Sequence, residues 1–97
     1  MSETPATRTV VVTDPAGVHL RTALAIANVV RRGRSQVTVI KDEQAVPGTE
    51  MLQIATLVAE QGTSVRLEAV GPDADAVLDA LEPLFAGQFG DEAPESA

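Results

Sequence analysis

Residues 7–13, TRTVVVT, are β-branched almost throughout and predict a first strand. Asp14-Pro15-Ala16-Gly17 follows with the composition of a turn. From Thr22 the period changes. Ala23, Ile26, Ala27 and Val30 recur at i, i+3, i+4 and i+7, one face of a helix over about 21–32. Arg31 and Arg32 suit the negative end of that helix, and Gly33 suits the position just beyond it. QVTVI (36–40) alternates as a second strand, and Lys41-Asp42-Glu43 turns into a short third strand near 44–46, broken by Pro47-Gly48. Met51, Ile54, Ala55 and Val58 return to helical spacing, with an end near Gly62. SVRLEAV (64–70) alternates cleanly, with Val65, Leu67 and Ala69 on one face and Ser64, Arg66 and Glu68 on the other. Gly71-Pro72-Asp73 opens a last helix, with Asp73 as N-cap and Val77, Leu78, Leu81 and Phe85 as the apolar face.

The order is therefore β-α-β-β-α-β-α. Alternation with one wet face predicts an α/β (α+β) open-faced sandwich: a four-stranded, mainly antiparallel sheet with three helices on one face. Pro83 conflicts with a helix running to residue 86, because it removes the hydrogen bond to Asp79. A kink or break near Glu82 is expected, with Leu84 and Phe85 still packed down. The polar segments at the ends divide the chain into a flexible tail over 1–6, one domain over 7–90 and an acidic flexible tail over 91–97.

Composition narrows the function classes. Ninety-seven residues with 44% hydrophobic content make one small domain. Aromatics are only 2%, without Trp or Tyr, so the core is built from Val, Leu, Ile and Ala, and base stacking is unavailable. The net charge of −7 also argues against nucleic acid. Four acids, Glu3, Asp91, Glu92 and Glu95, lie in the tails; without them 10 acids face 7 bases, a balance of −3. The acidity is in part a property of the tails and favours solubility. With no cysteine and one histidine, disulfides, thiolate chemistry and His-rich metal sites are absent, and no metal or cofactor is expected. No signal-peptide pattern or membrane-length apolar run is present, so a cytoplasmic location without membrane insertion is expected.

The chemistry concentrates in GVHLRTA (17–23). Gly17 permits close backbone approach, and His19 falls just before the first helical turn, where free N–H groups and a partial positive charge attract anions. Arg21 adds a guanidinium able to hold phosphate oxygens bidentately. A neutral imidazole is a nucleophile near neutral pH and needs no general base. Taken together, these residues describe a histidine that accepts a phosphoryl group. The plainer reading stands beside it: a lone histidine at a helix start also serves as a solvated or capping residue, and Arg21 as a surface charge.

GVHLRTA resembles the active-site segment of the HPr family, the histidine-containing phosphocarriers of the bacterial phosphoenolpyruvate-dependent sugar phosphotransferase system, whose pattern is Gly-hydrophobic-His-x-Arg-Pro-Ala. EQGTSVRLEAVG (60–71) is similar to the family's turn into an alternating strand, and the likeness spans about 8–86. The resemblance implies that His19 is phosphorylated on its pros nitrogen by enzyme I and passes the group to sugar-specific EIIA-type acceptors. It implies that Arg21 steadies the phosphate, and that Leu20, Thr22, Met51, Leu52 and Ala55 form the partner surface of a monomer. Such a protein is a carrier acted on by partner enzymes rather than an enzyme itself. For Met51, Leu52 and Ala55 core packing is the competing role, yet adjacent Met51 and Leu52 cannot both point inward.

Three positions depart from the family pattern. Thr22 replaces proline, which predicts a slightly less rigid site with retained chemistry, because threonine restores an N–H and a hydroxyl. Ala16 stands where asparagine is frequent, removing one turn cap. Glu50 stands where many relatives have a serine phosphorylated by a kinase; it serves equally as a first-turn carboxylate or as a built-in negative charge at that position. Thr49 is expected as N-cap, with a substitute phosphorylation role left open. Arg31, Arg32 and Arg34 lie ~18 Å from His19 along the helix, at ~1.5 Å per residue, and read as dipole compensation rather than a second phosphate site. Two other functions share these features: a related regulatory relay not serving sugar uptake, and a non-phosphorylated binding module of the same fold.

Overall fold

The computed structural model describes residues 4–57 and 60–87. Expectations for Val58, for 1–3 of the first tail, for 88–90 of the domain and for the tail over 91–97 lie outside these residues. The chain forms β1 (Ala6–Val11), α1 (Leu20–Arg32), β2 (Gln36–Lys41), β3 (Gln44–Pro47), α2 (Met51–Leu57), β4 (Ser64–Val70), α3 (Ala74–Leu81) and a 3₁₀ segment, Glu82–Ala86. The strands make one sheet in the order β1-β4-β2-β3, and every neighbouring pair is antiparallel. This is the open-faced sandwich that the alternation predicts.

The register explains the two faces. Val10 pairs with Val65, Val37 with Ala69 and Val39 with Leu67, so one side of the pleat is apolar. Against it pack Ala23, Ile26 and Val30 of α1, Ile54 and Leu57 of α2, Val77, Leu78 and Leu81 of α3, and Leu84 and Phe85 beyond it. The other face carries Thr7, Thr9, Ser64, Arg66 and Gln36, all exposed, and Arg66 pairs there with Glu68 at 3.1 Å. Beyond the two turns of α3, Pro83 sits in the first turn of the 3₁₀ segment. The tighter helix accommodates the lost N–H while keeping Leu84 and Phe85 about 1% exposed.

Several boundaries differ from the expectation. β1 spans 6–11 rather than 7–13: Val12 N–H still reaches Thr63 C=O at 2.9 Å, but Thr63 N–H turns to Glu60 C=O at 3.3 Å, and Thr13 N–H reaches Phe85 C=O at 3.1 Å. Pro47 ends β3 instead of breaking it earlier; β3 is an edge strand, where a missing N–H is tolerated. Asp73 precedes α3 but makes no capping bond. Its carboxylate accepts from Ser35 Oγ and, at 2.9 Å, from Arg34 N–H, so it ties the α1–β2 loop to the β4–α3 loop. Thr49 is not the N-cap of α2, because Glu50 C=O accepts the first helical bond from Ile54 N–H at 2.9 Å. Thr49 C=O accepts instead from the Arg31 guanidinium at 2.9 Å, which seats the start of α2 beside the last turn of α1.

Candidate functional site

The site is a loop with both sides held. On one side Gly62 N–H donates to Val12 C=O at 2.8 Å, and the Gln61 amide donates to Thr13 C=O at 3.3 Å. On the other, Phe85 C=O accepts from Thr13 and Asp14. Within the loop Asp14 C=O accepts from Gly17 N–H at 2.8 Å, and the Asp14 carboxylate accepts from Ala16 N–H at 3.0 Å. The turn cap absent at Ala16 is thus supplied by Asp14, through an Asx turn legible in the order Asp-Pro-Ala-Gly. Gly17 has φ 72°, a left-handed conformation that favours glycine. Val18 is buried and anchors the next step of the chain.

The loop delivers His19 to the N-cap of α1 in an extended conformation, φ −109° and ψ −175°. The first helical bond runs from Ala23 N–H to His19 C=O at 2.9 Å. The N–H groups of Leu20, Arg21 and Thr22 therefore lie ahead of the ladder. The first turn has no acidic residue, while Arg31 and Arg32 occupy the last turn. Nothing within the helix neutralises its positive end, where an incoming phosphate dianion is favoured. The His19 side chain makes no capping bond and is exposed, as is Arg21 two residues on. The arrangement offers a reachable imidazole at a positive helix end, with a guanidinium on the same turn.

The residues grouped as a partner surface separate here. Leu20 and Leu52 are 54% and 64% exposed, large apolar side chains presented to solvent. Met51 and Ala55 are half-buried against the core, so of the adjacent pair it is Leu52 that points outward. Thr22 corrects the expectation: it is fully buried, because the third residue of α1 turns toward the sheet. Its Oγ1 lies 3.4 Å from His19 Nε2. Sequence reasoning had the hydroxyl but not its direction, which only the helix phase reveals. Glu50 is exposed at the start of α2, beside the far end of α1 from the histidine. Among the described residues no group of three or more His, Cys, Asp or Glu is placed to hold a metal, and no helix is long and apolar enough to cross a membrane.

Known proteins resemble this chain in sequence and fold. Residues 6–87 match the family model described as PTS HPr component phosphorylation site. The chain is 33% identical over 85 residues to the phosphocarrier protein HPr of Treponema pallidum, covering 88% of this chain and 97% of that protein. It is 33% identical over 82 residues to the phosphoryl donor subunit of a PEP-dependent dihydroxyacetone kinase from Klebsiella michiganensis, covering 84% of this chain but 17% of that one. Among solved structures, HPr of Thermoanaerobacter tengcongensis superposes with a TM-score of 0.73 at 28% identity, covering 86% of this chain and 97% of its own. An exposed histidine at a helix N-cap position on an open-faced sandwich and a family match spanning nearly every described residue lead to one conclusion: the chain belongs to the HPr family of phosphocarrier proteins.

Proposed function

We propose that His19 accepts a phosphoryl group on Nδ1 from a phosphoenolpyruvate-dependent enzyme I and passes it to EIIA-type acceptor proteins. The observation that carries this reading is the exposed His19 ring at the N-cap of α1, not spent on capping, above a first turn without acidic residues. Phosphoryl transfer depends chiefly on positioning and charge stabilisation, and the loop and helix end supply both. Arg21 steadies the phosphate oxygens. Leu20, Met51, Leu52 and Ala55 provide the partner surface, with Leu20 and Leu52 as its exposed apolar points. A soluble cytoplasmic carrier of this kind works between two macromolecular partners, so no substrate cavity at the histidine is required.

A second reading keeps the chemistry and changes the recipient. The similarity to a phosphoryl donor subunit of a PEP-dependent kinase supports a relay that serves a partner outside sugar uptake. The two are separated by onward transfer. The chain is charged with labelled phosphoenolpyruvate and enzyme I, freed of both, and offered to EIIA proteins and, separately, to dihydroxyacetone kinase components. Label moving to an EIIA supports the first reading; label moving only to the kinase components overturns it in favour of the second.

A further inference from the structure

We infer that Thr22 is a positioning residue for phosphoryl acceptance, its hydroxyl engaging His19 Nε2 and leaving Nδ1 as the nitrogen presented to the donor. The inference rests on the reading of His19 as the acceptor. Thr22 Oγ1 and His19 Nε2 are 3.4 Å apart, long for a hydrogen bond but within reach of one that tightens when the ring gains charge. Thr22 is fully buried, whereas His19 is exposed. The threonine therefore meets one edge of the ring of an otherwise exposed residue. Full burial of the Thr22 side chain in the first turn of α1 limits where its hydroxyl can move. A buried hydroxyl also needs a partner, and the imidazole provides it; no buried side-chain N or O among the described residues lacks one. Proline, which the family pattern has at this position, offers no hydroxyl, so the device belongs to this chain.

A neutral imidazole has one N–H and one lone pair. In the reactive tautomer Nε2 carries the proton and donates to Oγ1. The lone pair is then on Nδ1. It forms the new N–P bond as the donor's bond to phosphorus breaks and that electron pair leaves with the donor. Nε2 keeps its proton throughout. The positive charge developing on the ring is shared with an N–H that Oγ1 already accepts, and a hydrogen bond from a charged donor is the stronger kind.

The chain has one histidine, so its ring nitrogens can be read without ambiguity. Long-range proton–nitrogen correlation on the 15N-labelled, unphosphorylated protein reports the tautomer. The wild type should hold the Nε2–H form, Thr22→Val should lose that preference, and Thr22→Ser should restore it. The rate of phosphorylation by enzyme I should fall about two- to tenfold in Thr22→Val, the range of one net hydrogen bond, and recover in Thr22→Ser. A valine variant with the wild-type tautomer, or a wild type holding Nδ1–H, overturns the inference. Should valine cost the fold by circular dichroism, Thr22→Ala against Thr22→Ser makes the same comparison. Wild type with the Nε2–H form that never takes up phosphate overturns the acceptor reading instead, so the two failures are distinct.

Discussion

Asp73 stands where a helix cap belongs, yet its carboxylate turns to Ser35 Oγ and Arg34 N–H. The Ser35 hydroxyl, ahead of the Arg34 amide, holds its pKa below the ordinary 3.8. A carboxylate with a lowered folded pKa contributes stability fully above the ordinary value and loses it as pH falls through the lowered one. Asp73→Asn should therefore lower the thermal midpoint at neutral pH, and the gap from wild type should close on acidification; a gap independent of pH would contradict this. Gly33 is a second residue decided by neighbours. Its φ of −87° needs no glycine, but a Cβ there would lie 2.8 Å from Val77 Cγ2 and 3.2 Å from Asp73 Oδ2. Gly33→Ala should cost about 1–3 kcal/mol by overpacking, seen as a lower thermal midpoint. The sequence showed Gly33 as a helix terminator and Asp73 as a cap, which is what each residue does when only local structure is considered. Their contacts with Val77 and Ser35 join positions some forty apart in the chain, beyond any local pattern.

Among the elements, α1 was legible almost to the residue, because its apolar period, closing arginines and following glycine agree. α2 was legible in type, though its start was placed by the wrong residue; the Arg31 bond to Thr49 C=O, not a side-chain cap, fixes it. The phase of α1 also decides which part of the motif is surface. Leu20 faces out and Thr22 faces in, two positions apart on a helix, a distinction that motif matching does not make. The exposed Leu52 yields an element-level prediction. Leu52→Glu should change stability by less than about 0.5 kcal/mol, since the side chain is 64% exposed, while slowing phosphoryl exchange with partner proteins. Equal slowing with a loss of fold would assign Leu52 to packing instead.

At the scale of the molecule, the sheet order β1-β4-β2-β3 brings the end of β1, the turn before β4 and the 3₁₀ segment together around the histidine loop. The order of elements was readable; this convergence was not, because it is made by backbone groups of Thr63, Gly62 and Phe85 that carry no side-chain signature. Edge strand β1 is tied to the α3 region by Arg8, which reaches Asp79 at 2.7 Å, Glu82 at 3.1 Å and Asp75 at 3.9 Å. Arg8→Gln should lower the thermal midpoint at low salt and less so at high salt, since Asp75 and Asp79 are exposed and screened. All of this architecture converges on His19. The most direct measurement is intact mass after incubation with phosphoenolpyruvate and a panel of bacterial enzyme I proteins. The account predicts a gain of one phosphoryl group, acid-labile and absent in His19→Ala. An unchanged mass with every enzyme I, or label retained in His19→Ala, would contradict it.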